Sequence, residues 1–399
     1  MDKERVKISD VLFFQEGPGV RNTQYTSSGV KLLNVANLVD GHIDLSTSDR
    51  YISTDEAYGK YSHFLCDDGD FIVASSGIKV EYIDKKMGFV DSAMLPLCMN
   101  TSTIRFKVLD AQKLNIRYFM YYLKSRDFKE QLSKHITGSA QLNYGPSHLK
   151  KMTMLIVGLN EQNAMVERLD KIQDVINLRK QQLQQLDELV KARFVELFGD
   201  PVENHMGWDI RELQDVVTDD CSISYGIVQT GDEQEFGVPV FRPVDIVNRT
   251  PKLDELKKTT KEISDKYKRT VLKGREMLIT VRANIADTCI VGEEFAGCNV
   301  GRGIVPIRTN EDVVILEFLK YQLDNKHLND NIKKLAKGIT LIQLNMEDLR
   351  KIKLITPPLG LQKQFITFAK QIDKSKFVVQ KALDEAQTLF DSLMQEFFW

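Results

Sequence analysis

The side chains able to do chemistry are dispersed along this chain rather than grouped. Five cysteines, Cys66, Cys98, Cys221, Cys289 and Cys298, form no C-x-x-C pair, and the six histidines stand at no ligand spacing from them. A disulfide framework or a zinc site needs tighter grouping, so reduced thiols and no metal are expected. No G-x-x-x-x-G-K-[ST] phosphate loop occurs, which argues against ATP-driven movement within this chain. A Gly-rich cofactor loop and an Asn-Pro-Pro-aromatic motif for a flipped base are both missing. The only Pro-Pro pair, Pro357-Pro358, follows Thr356. Cys298 has no base partner at a familiar spacing, and Asp67-Asp68 and Asp219-Asp220 read as turn residues. The expectation is a chain that binds and does not catalyse.

The bulk numbers agree with that. At 399 residues the chain is too long for one ordinary core and suits two or more domains. Hydrophobic content of 42% and charged content of 28% are ordinary for a globular protein. The charged start Met1-Asp2-Lys3-Glu4-Arg5 and the lack of any apolar run near 20 residues predict neither a signal peptide nor a membrane span. A cytoplasmic protein is expected. A formal net charge of −2 argues against a chain that grips nucleic acid alone through a large basic surface. Binding with partners that share the phosphate contacts stays open.

The elements that must position any binding residues are written twice. Gly138 to Gln162 matches Gly338 to Gln362 at a constant offset of 200. Gly138 pairs with Gly338, Leu149 with Leu349, Lys151 with Lys351, Leu155 with Ile355, Leu159 with Leu359 and Gln162 with Gln362. Upstream, Val30 to Leu38 resembles Val238 to Ile246 at an offset of 208, and Gly69 to Val73 resembles Gly274 to Ile279, so loops differ in length between copies. Long repeats of this kind decide the fold. Each copy has a part of about 150 residues with short strand-like runs, such as Asp70 to Ala74 and Met277 to Val281. A connector near Gly158 or at Pro357-Pro358 leads into one long helix. Duplication without functional symmetry is the plainer alternative.

The first helix is predicted over Asn160 to Phe198. Its apolar positions Met165, Leu169, Ile172, Ile176, Leu183, Leu186, Val190, Phe194 and Leu197 alternate spacings of four and three, a heptad seam with Arg179 in one slot. Gly199-Asp200-Pro201 ends it. The second has Phe365, Ala369, Ile372, Val379, Leu383, Ala386, Phe390, Leu393 and Phe397, with Lys376 in one slot. A helix of ~38 residues is roughly 57 Å long. A stripe that long cannot stay exposed, and two per chain can bury each other. Twofold pseudo-symmetry between the copies requires antiparallel packing. A plain dimerisation coiled coil is the alternative. Arg179 and Lys376 could fix the register.

At this point the chain resembles the specificity subunits of Type I restriction-modification enzymes. Gly138-Ser139-Ala140-Gln141-Leu142-Asn143 with Leu149-Lys150-Lys151 is similar to the end of a target-recognition domain in that family, as is Pro357 to Gln364 before a heptad helix. Phe194 to Pro201 resembles the family's ending of the central helix. Tyr225 to Gln229, Val240 to Ile246 and Met277 to Arg282 are also similar. The likeness covers nearly the whole chain. Asn34 stands where the second copy has Arg242, and Asn143-Tyr144 where it has Gln343-Leu344.

The resemblance implies an α+β chain of two mixed α/β recognition domains, residues 1–155 and 201–356. Two spacer helices, 156–200 and 357–399, would separate them and pack as an antiparallel coiled coil. It further implies double-stranded DNA, two methyltransferase subunits and motor-nuclease subunits as partners. S-adenosylmethionine, ATP and Mg would sit on those partners, and no cofactor on this chain. Each domain would read half of a split target. A coiled-coil scaffold or regulator is the competing class, though a homodimeric regulator needs only one reader per chain.

Base edges are read by Arg or Lys at guanine and by Asn or Gln at adenine, from loops held by a rigid scaffold. Candidates in the second domain are Tyr225, Gln229, Arg242, Arg282 and Asn284. In the first they are Ser75, Ser76 and Lys79 in the equivalent loop after a strand, with Gln141 and Asn143. Lys257-Lys258 and Lys333-Lys334 read as solvated faces.

Overall fold

Two 40-residue helices, Leu159–Phe198 and Leu359–Phe398, form where the heptad patterns stand. A computed structural model describes residues 4–135, 143–246, 251–338 and 342–399. Each helix is shared between two compact units, Met1–Lys180 with Lys381–Trp399 and Gln181–Gln380. In the first unit the start of the central helix (Met165, Leu169, Ile176) shares a core with the end of the C-terminal helix (Phe390, Phe397, Phe398); Ile172, Leu383 and Leu393 are half-buried against it. In the second unit Val190, Phe194 and Phe198 share a core with Phe365 and Ala369, and Ile372 packs beside them. The start of one helix meets the end of the other in both units, so the packing is antiparallel. Leu183, Leu186 and Val379 are half-buried. The Lys376 slot is filled by ion pairs to Asp187 on the facing helix and to Asp373 at 3.7 Å, so that break in the seam is a paired charge. Gly199 ends the central helix at φ +73°, with its N–H donating to Val195 O, because a left-handed residue lets the chain turn away.

The two globular parts repeat one another sheet by sheet. In the first, Phe71–Ala74 pairs antiparallel with Thr103–Val108 and with Met87–Phe89. In the second, Glu276–Thr280 pairs in the same way with Ile304–Ile307 and Thr288–Val291. These central strands are buried along their whole length, which explains why they read as continuous apolar runs rather than alternations. A smaller mixed sheet sets Val30–Leu33 between Tyr51–Ile52 and Leu97–Met99. Its counterpart sets Val238–Phe241 between Lys257–Thr259 and Asn299–Val300. A two-stranded ladder joins the start of each domain to the strand before its long helix: Glu4–Lys7 with Thr153–Ile156, and Ile210–Glu212 with Lys353–Ile355. The first domain extends its larger sheet with Leu12–Glu16. At the corresponding edge of the second the described residues form a single bridge, Val217 to Thr309.

One residue explains why the repeat is sharpest around Gln162 and Gln362. Both glutamines are fully buried near the start of a long helix. Gln162 Oε1 accepts from the Asn115 N–H, and its Nε2 donates to Lys113 O and Val157 O. Gln362 does the same with Ile315 N–H, Val313 O and Pro357 O. A buried main-chain group left unpaired costs about 1–3 kcal/mol. Gln362→Leu strands three, and we expect it to destabilise the second unit by roughly 2–4 kcal/mol. The two tryptophans permit the measurement. Trp208 packs on Phe198 in the second unit, and Trp399 lies under the Arg126 guanidinium in the first. In a Trp399→Phe background the denaturation midpoint read by Trp208 should fall. A midpoint unchanged by Gln362→Leu would refute the role given to this side chain.

Candidate nucleic-acid interface

Both domains turn the corner after the central strand with one device. Ser75 N–H donates to Ser102 O at 2.8 Å and Ser75 O accepts from Tyr144 N–H at 3.0 Å. In the second domain Val281 N–H donates to Gly303 O at 2.8 Å and Val281 O accepts from Leu344 N–H at 3.0 Å. The next residue then bridges a returning segment, Ser76 to Asn143 and Arg282 to Gln343. The residue after that is left-handed in both, Gly77 at φ +77° and Ala283 at +60°. For alanine this conformation costs roughly 1–2 kcal/mol, so the loop around Arg282 holds backbone strain that its surroundings enforce. A third segment arrives through a glycine. A Cβ on Gly17 would lie 2.0 Å from Asn100 O, and one on Gly226 would lie 2.0 Å from Val300 O, so only glycine fits. Glu16 and Tyr225 directly precede these glycines.

The side chains on this shared frame differ. In the second domain Arg282 Nε donates to Gln343 Oε1 at 2.5 Å, Gln343 Nε2 donates to the Tyr225 hydroxyl, and that hydroxyl donates to Leu344 O at 3.4 Å. Gln229 and Asn284 are exposed on neighbouring loops. Arg242 is bound up locally, because Asp245 takes its Nε at 3.0 Å and its Nη2 at 2.8 Å and raises its pKa. Gly303 lies so close to Pro243 and Arg282 that an added Cβ would come within 2.6 Å of Pro243 Cγ and 3.5 Å of Arg282 Cβ. Arg302, exposed and next to Gly303, is therefore a third arginine of this surface.

In the first domain Ser76 Oγ donates to Ser102 Oγ at 2.6 Å, and Asn143 and Lys79 are exposed. Ser75 is 1% exposed with Oγ turned inward, so it shapes the loop and does not reach solvent. Gln141 lies outside the described residues. Asn34, the counterpart of Arg242, is buried and accepts from Asn100 Nδ2 at 2.8 Å. Desolvation pushes the Glu16 carboxyl above its ordinary range. At matching places the frame thus carries Ser76, Asn143 and Glu16 in one domain and Arg282, Gln343 and Tyr225 in the other.

A buried ion pair anchors each central strand at its start. Asp70 meets Arg105 at 3.1 Å and Lys107 at 3.2 Å; Glu276 meets Arg308 at 2.9 Å. The acid also caps the preceding turn, accepting from Asp67 N–H or from Lys273 N–H. Burial pushes the Cys66 thiol up to about 12 and those of Cys98 and Cys298 to about 11, so these sulfurs are protonated packing groups. Among the described residues no acidic, histidine and cysteine cluster could hold a metal, and no helix is long and apolar enough to cross a membrane.

Sequence reasoning passed over Gln343 and Arg302. The signal for Gln343 was present, because it occupies the place of the chosen Asn143. Arg302 gave none, since only the fold brings the start of the Ile304–Ile307 strand beside Arg282.

The family model for the Type I restriction modification DNA specificity domain matches this chain twice, over residues 2–188 and 206–386. The specificity subunit of the Type I restriction enzyme EcoBI from Escherichia coli is 22% identical over 324 residues, covering 75% of this chain and 67% of that protein. The MjaVIII specificity subunit from Methanocaldococcus jannaschii is 26% identical over 194 residues, 48% of this chain and 44% of its own length. Among solved structures, the S subunit of a Type I restriction-modification system from M. genitalium superposes with a TM-score of 0.55 at 16% identity, covering 100% of this chain and 96% of that one. A chain from a study of the assembly and conformational transition of the Type I system gives 0.57 at 17% identity, covering 99% and 97%. At these identities the structures attest the fold.

Proposed function

The chain belongs to the Type I restriction modification DNA specificity family, and from that premise we propose how it works. It is a DNA specificity subunit, a non-catalytic member of a Type I restriction-modification enzyme. Each globular domain reads one half of a split target. The two long helices set the unread gap and dock two methyltransferase subunits, which motor-nuclease subunits join. S-adenosylmethionine, ATP and Mg belong to those partners, and the complex works in the cytoplasm.

One observation supports this reading most directly. The same corner loop occurs twice, with Ser76 and Asn143 in one copy and Arg282 and Gln343 in the other. A fixed frame with exchanged polar groups suits two readers of unlike half-sites, since base edges differ only in their donors and acceptors. Duplex DNA repeats every ~34 Å, so readers held by a stiff spacer meet half-sites at a set distance and on a set face. The near-neutral charge fits a subunit whose partners share the phosphate contacts.

The test is co-expression with a candidate adenine methyltransferase subunit, followed by mapping of methylated adenine in host DNA. The expected result is one split motif that vanishes without this chain. Exchanging Thr23 to Leu149 for the same region of a relative should alter one half of the motif only. No motif, and no stable complex with any methyltransferase subunit, would favour a scaffold or regulator.

A further inference from the structure

The three polar groups at the second domain's corner are not equally available. Gln343 gives one lone pair of its oxygen to Arg282 and one N–H to Tyr225, so its amide is fixed between those two side chains. The bidentate edge of Arg242 is spent on Asp245. Arg282 differs. Only its Nε is engaged, at 2.5 Å, and its two terminal nitrogens have no partner among the described residues. The side chain is half-buried, so the bond at Nε restrains its rotamers while the far edge stays open.

We propose that Arg282 reads a guanine in the half-site bound by the second domain, with Gln343 and Tyr225 as positioning residues. The inference rests on the function proposed above. Two parallel N–H donors in one plane match the O6 and N7 acceptors of guanine in the major groove. Adenine offers an acceptor beside a donor, and cytosine a donor, so a group with donors only meets repulsion there. Holding Nε in advance removes part of the entropy that a free arginine loses on binding. In the first domain the same place is held by Ser76, whose hydroxyl is given to Ser102. The guanine requirement belongs to one half-site.

The experiment maps methylated adenine in cells that carry the methyltransferase partner with wild-type chain, Arg282→Ala, Arg282→Lys or Gln343→Leu. The wild-type motif should contain a guanine in the half left unchanged by exchange of Thr23 to Leu149. Arg282→Ala should erase the preference for that guanine, a loss of roughly 10- to 100-fold, with the other half intact. Arg282→Lys, which keeps the charge without the planar fork, should weaken it to a lesser degree. Gln343→Leu should weaken it partly. A second-domain half-site without guanine, or an unchanged motif in Arg282→Ala, overturns the proposal. If Arg282→Ala abolishes methylation, the wild-type complex decides by binding duplexes with 7-deazaguanine at that position. Roughly tenfold weaker binding supports the contact at N7, and equal binding removes it. A wild-type chain that yields no split motif refutes the proposed function and not this assignment.

Discussion

Replacing Arg308 with methionine will destabilise the second unit by roughly 3–5 kcal/mol, the usual penalty for stranding a buried charge. Glu276 is fully buried at the first residue of the central strand, and Arg308 is its partner at 2.9 Å. The second carboxylate oxygen has no hydrogen bond, so without Arg308 the charge keeps only the Lys273 N–H. Arg308 also donates to Asp220 O at 2.9 Å, tying the preceding loop to the sheet. The pair itself adds little net stability, because removing two charges from water offsets their attraction. The double variant Glu276→Leu/Arg308→Met should therefore recover most of the loss. The check is a double-mutant cycle read by Trp208 in a Trp399→Phe background. If the double variant is as unstable as Arg308→Met, the damage comes from lost packing or from the Lys273 N–H, and not from an orphaned carboxylate.

Phe365→Ala should cost the same unit about 3–5 kcal/mol, as large-to-small core substitutions of phenylalanine do. Phe365 is fully buried, and its ring meets those of Phe194 at 5.5 Å, Phe198 at 5.7 Å and Tyr321 at 5.0 Å, all edge-on. Each such pair adds roughly 0.5–1.5 kcal/mol beyond its area. Phe318 closes the group, 4.8 Å from Phe198. One ring thus joins the start of the C-terminal helix, the end of the central helix and the globular domain. The cavity is enclosed on three sides and has little room to collapse. Phe365→Leu keeps most of the volume and should lose far less. Guanidinium denaturation measures both. A loss under about 1.5 kcal/mol for Phe365→Ala would mean that the cluster relaxes into the space. In the first unit the position of Phe365 is held by Met165, and aromatic weight lies instead on Phe390 and Phe398, against Tyr121 and Tyr118.

The parts legible in the sequence were those set by local rules or by the repeat. The heptads placed the central helix to within a residue at its start and located the C-terminal one by its seam from Phe365, because an amphipathic stripe is a periodic property of neighbours along the chain. The offset of 200 singled out Gln162 and Gln362, since each must satisfy the same three main-chain groups beside the same helix. The equivalence of Asn34 and Arg242 holds in the fold too, both preceding a short turn whose third residue accepts the N–H.

What the tertiary structure alone decided concerns contacts between residues far apart in the chain. Ser75 and Ser76 look alike as adjacent loop serines, yet the pleat sends one inward and leaves the other on the bridge to Asn143. Arg242 and Arg282 are equivalent donors on paper, and only the fold shows that Asp245 occupies the first. Arg282 meets Gln343 across 61 residues, a pairing no local pattern encodes. The division of each helix between two units was likewise invisible, because a seam reveals which side of a helix is covered and not which partner covers it. Periodicity along a chain specifies elements and their faces; which side chains end up within hydrogen-bonding distance depends on closures over many residues, and those closures placed the open edge of Arg282.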